Sequence, residues 1–148
     1  MTVFAPGVMT KDVSLGDIAW HILGQTYTPK YCTDSSMAWH AVLPAGTFVP
    51  PHIHTTQDEF VYVLTGEMTC EIDDKTLTAR PGDLICMPKN IPHGLFNRSG
   101  GETTCIFWVS PTAKLWDLFV NIDGVPDPAE VVRLAALHEV DFLPPPGE

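Results

Sequence analysis

The stretch Gly46-Thr-Phe-Val-Pro-Pro-His52-Ile-His54-Thr-Thr-Gln-Asp-Glu59-Phe-Val-Tyr-Val-Leu-Thr-Gly66 decides the fold of this chain. Two prolines directly before the first histidine hold the backbone extended. Side chains two residues apart on an extended strand point to the same face, so His52 and His54 are expected to lie side by side. Glu59 opens the next apolar run, from which its carboxylate can reach the same point in space.

A second stretch, Gly82-Asp-Leu-Ile-Cys-Met-Pro88-Lys-Asn90-Ile-Pro-His93-Gly-Leu-Phe-Asn97, supplies a third histidine. An HxH pair alone is most simply a pair of exposed polar residues on an edge strand. Together with the carboxylate of the first stretch and the imidazole of His93, the pair indicates a metal site instead. Three neutral imidazoles and one carboxylate suit Fe, Mn, Co, Ni, Cu or Zn.

These two stretches resemble the two sequence motifs of the cupin family. The first has every fixed position of its motif, and the second departs from its motif at Asn90, where the family usually has glycine. Asparagine tolerates a positive φ next best after glycine, so the turn there is expected to survive. The matching positions are Gly46, His52, His54, Glu59, Gly66, Gly82, Pro88, His93 and Asn97.

The resemblance implies an all-β fold, a cupin-type antiparallel β-barrel of the jelly-roll kind. It also implies one divalent transition metal per chain, with Fe, Mn, Ni or Co favoured over Zn or Cu. The implied ligands are His52, His54, Glu59 and His93. The wider chain resembles the single-domain cupins related to quercetin 2,3-dioxygenases. Small cupins are commonly homodimers, and the N-terminal segment MTVFAPGV is a plausible exchanged edge.

The length of 148 residues predicts one domain. Short runs rich in β-branched and aromatic residues, divided by glycine and proline, predict strands over about residues 15–110. The pattern changes over residues 111–148, where TAKLWDLFVNI and DPAEVVRLAALHEV have helical spacing. These segments predict two short helices packed outside the barrel, and the closing FLPPPGE is expected to be a tail or clasp.

Eight Lys and Arg against 18 Asp and Glu give a formal net charge of −10. A surface this acidic repels phosphate backbones and anionic lipid, so no nucleic acid or membrane partner is expected. No run approaches the ~20 apolar residues of a spanning helix, and the first residues lack the pattern of a secretory signal. A cytoplasmic location is therefore expected. The four cysteines form no CxxC pair and are expected to be buried, reduced thiols.

The alternation of side chains along each strand predicts the walls of a mostly apolar chamber around the metal. If the strand through the two histidines begins by Phe48, that ring shares their face. The candidate substrate-binding residues on this argument are Phe48, Val61, Val63 and Leu95. The rings expected on the opposite face are Phe60, Tyr62 and Phe96. A β-bulge would reverse any of these assignments.

Four further polar residues have weaker sequence context. His21, His40 and His138 are each predicted to be a surface or core histidine rather than a ligand. Gln57 is predicted to be a polar residue at the start of a strand, and a hydrogen bond to a ligand imidazole is the weaker alternative.

The ligand set, the apolar chamber and the resemblance favour a metal-dependent dioxygenase. Its expected substrate is a small, largely apolar or aromatic hydroxyl or enol compound, cleaved in a ring or at a C–C bond. Glu59 would take the substrate proton before dioxygen attacks. The same ligands serve a non-redox isomerase, cyclase or lyase equally well, and a protein that binds a small ligand without turnover is the third alternative. The expected partners are the small-molecule substrate, dioxygen and a second copy of the chain.

Overall fold

The structure is a computed structural model that describes residues 6–144. Residues 1–5 of the segment expected to exchange between copies, and residues 145–148 of the closing segment, lie outside the described residues. The homodimer stays a prediction. The described strands are β1 Trp20–Ile22, β2 Gln25–Cys32, β3 Met37–Leu43, β4 Phe48–His54, β5 Asp58–Thr65, β6 Met68–Ile72, β7 Lys75–Ala79, β8 Leu84–Met87, β9 His93–Phe96, β10 Thr103–Ser110 and β11 Val140–Phe142. The α-helices are α1 Leu115–Ile122 and α2 Pro128–Ala136.

The strands form two sheets that face each other. One sheet has the order β1-β2-β3-β10-β5-β8, and the other has the order β11-β4-β9-β6-β7. All of these pairings are antiparallel. Several neighbours in each sheet come from distant parts of the chain, as jelly-roll folds require. The predicted all-β class and cupin-type architecture are confirmed.

The core between the sheets follows the two-residue alternation of the strands. In β3 and β10, buried and half-buried residues alternate along the strand because one face of each packs inward. Trp39 stacks on Phe107 with ring centroids 5.3 Å apart, and the Tyr27 ring lies 5.9 Å from that of Trp39. Aromatic pairs of this kind contribute about 0.5–1.5 kcal/mol each beyond their buried area.

Helix α1 buries an apolar face, as its sequence spacing predicts. Leu115, Leu118, Phe119 and Ile122 are buried, and the Phe119 ring meets Trp39 edge to face with centroids 5.1 Å apart. The helix therefore packs directly against the aromatic core of the barrel.

Helix α2 begins at a well-formed cap. The Asp127 carboxylate accepts a hydrogen bond from the Ala129 N–H at 3.0 Å, and Pro128 occupies the first helical position. Helix α1 contacts β1, helix α2 contacts β11, and the two helices contact each other. Because β1 and β11 are edge strands of opposite sheets, the helices close the gap between the sheets on that side.

None of the helices among residues 6–144 combines the length and the apolar character that crossing a membrane requires.

The strand β11 is a feature that the sequence did not predict. Residues Val140–Phe142 pair with β4, which places Val140 opposite His54 and Phe142 opposite His52. Of the two alternatives for the closing segment, a tail or a clasp, the pairing of its first residue Phe142 with β4 fits the clasp. A three-residue strand is too short to show alternation, and the proline run that follows dominates the local pattern.

The cysteines are free thiols. Cys32, Cys70 and Cys105 are buried as predicted, whereas Cys86 is exposed on the edge strand β8, so the prediction was wrong there. Burial raises the pKa of Cys70 to about 11. Burial and the nearby Cys70 raise the pKa of Cys105 to about 12, which makes both thiols poor nucleophiles.

A pair of glycine substitutions tests the packing of the barrel turns. Gly66 and Gly46 have nearly the same φ, 80° and 82°. A Cβ on Gly66 would lie 2.5 Å from Thr103 Oγ1 and 2.6 Å from the Glu102 carbonyl oxygen, whereas a Cβ on Gly46 meets nothing within 4 Å. Gly46→Ala is expected to cost about 1–2 kcal/mol for the left-handed backbone alone.

Gly66→Ala is expected to add about 1–3 kcal/mol of overpacking to that backbone cost. Urea unfolding of both variants measures the difference in free energy of unfolding. Equal losses in the two variants would contradict the close approach of β10 to this turn.

Candidate metal centre

Three strands bring the four predicted ligands together inside the barrel. His52 and His54 lie on β4, Glu59 is the second residue of β5, and His93 is the first residue of β9. All four side chains are buried, and one ligand atom from each lies within 4.8 Å of all the others. Within residues 6–144 this is the group of His, Cys, Asp and Glu side chains arranged to hold a metal ion.

Each imidazole has its outer nitrogen fixed by an oxygen acceptor. His52 Nδ1 lies 2.7 Å from the Pro50 carbonyl oxygen, and His93 Nδ1 lies 3.3 Å from that of Ile91. His54 Nδ1 lies 2.6 Å from Gln57 Oε1. The weaker alternative for Gln57, a hydrogen bond to a ligand imidazole, is therefore the one that the structure shows. Because these oxygens only accept, each Nδ1 carries the hydrogen, and each Nε2 lone pair is left for a metal.

The inner nitrogens fit a cation. His54 Nε2 is buried without a hydrogen-bond partner among the described residues. It lies 3.7 Å from Glu59 Oε1, and His93 Nε2 lies 3.2 Å from the same oxygen. The Nε2 lone pairs of the imidazoles and the negatively charged carboxylate repel one another unless a proton or a cation lies between them. This donor set therefore fits a divalent transition metal.

The electrostatics keep these groups in the protonation states of metal ligands. Burial, with the charges of His93 and His54, lowers the pKa of His52 to about 3. Burial also lowers the pKa of His54. Burial raises the pKa of Glu59, but the surrounding imidazoles, His54 first and then His93, outweigh burial and lower that pKa to about 2. At neutral pH, His52 and His54 are neutral and the carboxylate is ionised.

The centre opens on a small apolar chamber. Its volume is about 50 Å³, which is smaller than the roughly 150 Å³ of a cavity that accepts benzene. The wall opposite the ligands is aromatic, with Tyr27, Trp39, Phe107 and Phe119. Trp39 Nε1 is buried and has no hydrogen-bond partner among the described residues, so this wall contains one unpaired donor.

Only one of the four predicted wall residues lines this chamber. Leu95 does so, whereas Val61 and Val63 are fully buried in the core outside the chamber lining. They point inward as predicted, but the rings of Trp39 and Phe107 fill the space that their strand faces.

The expectation that Phe48 faces the chamber was wrong. The pairing of β4 with β9 shifts register between Val49 and His52, so Val49 lines the chamber instead. Phe48 is 48% exposed and stacks on Phe96 on the outer surface, with ring centroids 5.7 Å apart. Pro50 and Pro51 explain the shift, because proline cannot donate a ladder hydrogen bond and is tolerated at bulges.

The sequence missed the contribution of the helices to the site. The helix residues of the chamber wall are Leu115, Leu118, Phe119, Ile122, Val131 and Ala135. Their helical spacing indicates packing against the barrel but does not show what they pack around. The last strand adds Val140 and Phe142, and the Phe142 ring lies 5.1 Å from that of His52.

The structure separates the other histidines from the centre. His21 is exposed, and His40 and His138 are half-buried; none of them joins the ligand group. On β5, Phe60 stacks on Trp108 with ring centroids 5.3 Å apart on the face opposite Glu59.

Comparison with known proteins agrees with this geometry. Residues 39–110 match the family model described as a cupin domain, and all four candidate ligands lie within the match. An RmlC-like cupin from Shewanella frigidimarina has a similar structure, with a TM-score of 0.62 over 72% of this chain and 96% of that one. Its sequence identity is 20%, so this likeness shows the fold alone. The match over residues 39–110 and this structural likeness together support the predicted cupin-type fold.

Curated relatives add a second comparison. Protein SchB of Streptomyces halstedii is 32% identical over 78 residues, which cover 53% of this chain and 56% of SchB. The polyketide synthase CurC of Streptomyces cyaneus is 29% identical over 73 residues, which cover 49% of this chain and 47% of CurC. The chain thus spans about half the length of the curated relatives it matches. The particular resemblance to quercetin dioxygenases stays a prediction.

Removal of a ligand imidazole is expected to abolish metal binding. The unaltered protein is expected to bind about one Co²⁺ ion per chain. His52→Ala, His54→Ala and His93→Ala should each lose this ion. His21→Ala is the control, because His21 is exposed and outside the ligand group. Elemental analysis and visible absorption of the Co²⁺ forms measure the loss. Full retention of Co²⁺ by His93→Ala would contradict the assigned centre.

Acid should destabilise the metal-free protein through the buried histidines. The pKa of His52 falls from its ordinary 6.5 to about 3 on folding, so between these values the unfolded chain binds more protons than the folded one. The free energy of unfolding is then highest above pH 6.5 and falls as the pH drops, by up to about 1.4 kcal/mol per pH unit for each such histidine.

Urea unfolding in EDTA between pH 7 and pH 5 measures this slope. This pH range lies above the one in which Glu59 titrates. His52→Asn removes the group and is expected to give a shallower slope. The same slope in both proteins would contradict the burial of a neutral imidazole at this position.

Proposed function

We propose that this protein is a metal-dependent enzyme that carries out non-redox isomerisation, cyclisation or elimination on a small, largely apolar carbonyl compound. One observation carries the proposal: a buried centre of three histidines and one carboxylate borders a chamber that is otherwise apolar. The relative CurC is named a polyketide synthase, which supports an oxygenated carbonyl compound as the substrate. The dioxygenase predicted from the sequence has no such support from these relatives.

The lining of the chamber limits which substrates it accepts. Among residues 6–144, no Lys, Arg or Asp side chain lines it, so phosphate or sulfate groups would find no counter-charge there. The aromatic wall suits a flat or apolar carbon skeleton. The Trp39 indole N–H, buried without a partner, offers one hydrogen bond to an oxygen of the substrate.

Glu59 is the proton acceptor in this proposal. Besides His52 and His54, the titratable groups that line the chamber among the described residues are Glu59 and Tyr27. Burial and the charge of Glu59 raise the pKa of Tyr27, so the phenol stays neutral and donates to Gln25 Oε1 at 2.6 Å. The surrounding imidazoles, His54 first and then His93, lower the pKa of the Glu59 carboxyl, so Glu59 becomes a stronger base when it moves away from them.

The proton balance requires no oxidant. A divalent metal held by the three histidines would supply Lewis-acid polarisation of a substrate carbonyl oxygen. For isomerisation, Glu59 takes the proton from the carbon beside that carbonyl and returns it to another carbon of the substrate. For cyclisation, the electron pair of the same C–H bond forms a C–C bond to a second carbonyl carbon, and Glu59 returns the proton to the oxygen of that carbonyl.

The size of the chamber implies movement of the helices. A bicyclic aromatic substrate is larger than this chamber of about 50 Å³. Helices α1 and α2 supply six of the lining residues and are not part of either sheet. In the proposed cycle these helices move outward to admit the substrate and close over it to exclude water.

Turnover with and without dioxygen tests the reaction class. The protein reconstituted with Zn²⁺, Ni²⁺ or Fe²⁺ is incubated with a panel of β-diketones, linear polyketones and flavonols, and products are identified by mass spectrometry. The proposal expects products of unchanged or dehydrated mass at the same rate under strict anaerobiosis. Products that incorporate ¹⁸O from labelled dioxygen would instead establish the dioxygenase.

Glu59→Gln tests the role of the carboxylate in that reaction. The amide cannot accept the substrate proton, so turnover should fall by about 10²–10⁴-fold, the range of general-base contributions. Asp58→Asn, one residue earlier on β5, is the control, because the Asp58 carboxylate accepts from the Lys89 N–H outside the chamber. Rates are compared at equal metal content. Full turnover by Glu59→Gln would contradict this role.

A further inference from the structure

One buried amide links a candidate metal ligand to the start of the helical segment. Gln57 is 3% exposed. Its Oε1 accepts from His54 Nδ1 at 2.6 Å, and its Nε2 donates to the carbonyl oxygens of Pro111 at 3.0 Å and of Thr112 at 3.1 Å. Pro111 and Thr112 belong to the turn between β10 and α1. The Gln57 amide therefore connects two separate parts of the chain: its oxygen binds His54, and its nitrogen binds the turn at residues 111–112.

These contacts fix the orientation of the amide. Reversing it would place the NH₂ group against the N–H of His54 and would place an oxygen against two carbonyl oxygens. Each of the three hydrogen bonds thus favours the same orientation. As a result, the Gln57 side chain determines two things. It fixes the His54 tautomer that leaves Nε2 free for a metal, and it fixes the position of the turn at residues 111–112.

The other bonds that the structure describes for the turn held by Gln57 end on residues outside the ligand group. The Lys114 ammonium pairs with the Glu139 carboxylate at 3.2 Å. The Thr112 N–H donates to the Asp34 carbonyl oxygen at 3.2 Å, and the Thr112 hydroxyl donates to the Thr33 carbonyl oxygen. None of these bonds involves a ligand residue. Among the side-chain contacts of this turn, Gln57 is thus the one that reaches the metal centre.

We propose that Gln57 is a positioning residue that couples occupancy of the metal centre to the docking of residues 111–136, called here the helical segment. A bound ion holds the His54 ring at Nε2, and the fixed ring holds the Gln57 amide, which holds the start of the helical segment. The coupling is reciprocal, because a docked helical segment must favour metal binding by the same factor. It holds for any reaction at the centre and does not rest on the proposed function.

Hydrogen exchange with and without Co²⁺ measures the coupling in the full chain. Peptides that cover α1 and α2 report on the helical segment, and peptides that cover β2 and β3 serve as an internal reference. Co²⁺ affinity is measured in parallel by absorption titration of the EDTA-treated protein. In the unaltered protein, Co²⁺ is expected to slow exchange in α1 and α2 at least threefold relative to the reference.

Two substitutions of Gln57 separate its two roles. Gln57→Glu keeps an acceptor for His54 Nδ1 but loses both donors, so the effect of Co²⁺ on exchange in α1 and α2 should disappear, and Co²⁺ affinity should fall only by the factor of that lost effect. Gln57→Leu loses the acceptor as well, and its Co²⁺ affinity should fall by about 10–100-fold, as is usual for loss of a hydrogen bond to a ligand histidine.

Thr112→Val is the matched control. It removes a contact of the same turn that does not reach His54, so exchange in α1 and α2 should rise equally with and without Co²⁺, at unchanged affinity. An unaltered protein that binds Co²⁺ without slowing exchange there, or a Gln57→Glu variant that keeps the full effect, would overturn the coupling. Failure of the unaltered protein to bind Co²⁺ would overturn the metal centre and the coupling together.

Discussion

The structure depends on the burial of one carboxylate among three imidazoles at the centre of an apolar barrel. An ionised carboxylate in such a place costs several kcal/mol unless its charge is compensated. Oxygen acceptors from Pro50, Gln57 and Ile91 turn each Nδ1–H outward, so lone pairs converge on the carboxylate of Glu59. That arrangement is favourable only with a proton or a cation at its centre. The barrel core and the candidate metal centre therefore stabilise each other.

The ligands could be predicted from the sequence because their positions depend on short-range geometry. His52 and His54 share a face through the two-residue period, and the motif spacing brings Glu59 and His93 to the same place. The prediction for Phe48 failed because the register of β4 shifts between Val49 and His52. Proline explains such a shift after the fact, but neither Pro50 nor Pro51 shows in advance where the shift falls.

The rest of the site could not be predicted because it depends on contacts between distant segments. Val61 and Val63 point inward as expected, yet Trp39 and Phe107 occupy the adjoining space. Which layer of the barrel a residue fills depends on the pairing of β3, β10 and β5, and this pairing leaves no periodic signal in any one strand. The same holds for the helices, whose apolar faces predict packing but not that they enclose a chamber.

The ligand set alone does not select a reaction, so the selection must come from the helices and the chamber. A dioxygenase needs the substrate and dioxygen at the centre together, whereas an isomerisation or cyclisation needs one substrate and one proton acceptor. The chamber has a single carboxylate in its lining, which supplies the one proton acceptor that the proposed isomerisation or cyclisation needs. Because α1 and α2 form much of its wall, the volume during turnover depends on how firmly these helices dock. Gln57 contacts both His54 and the turn that precedes α1. The metal can therefore influence the reaction through the space it leaves for the substrate as well as through its charge.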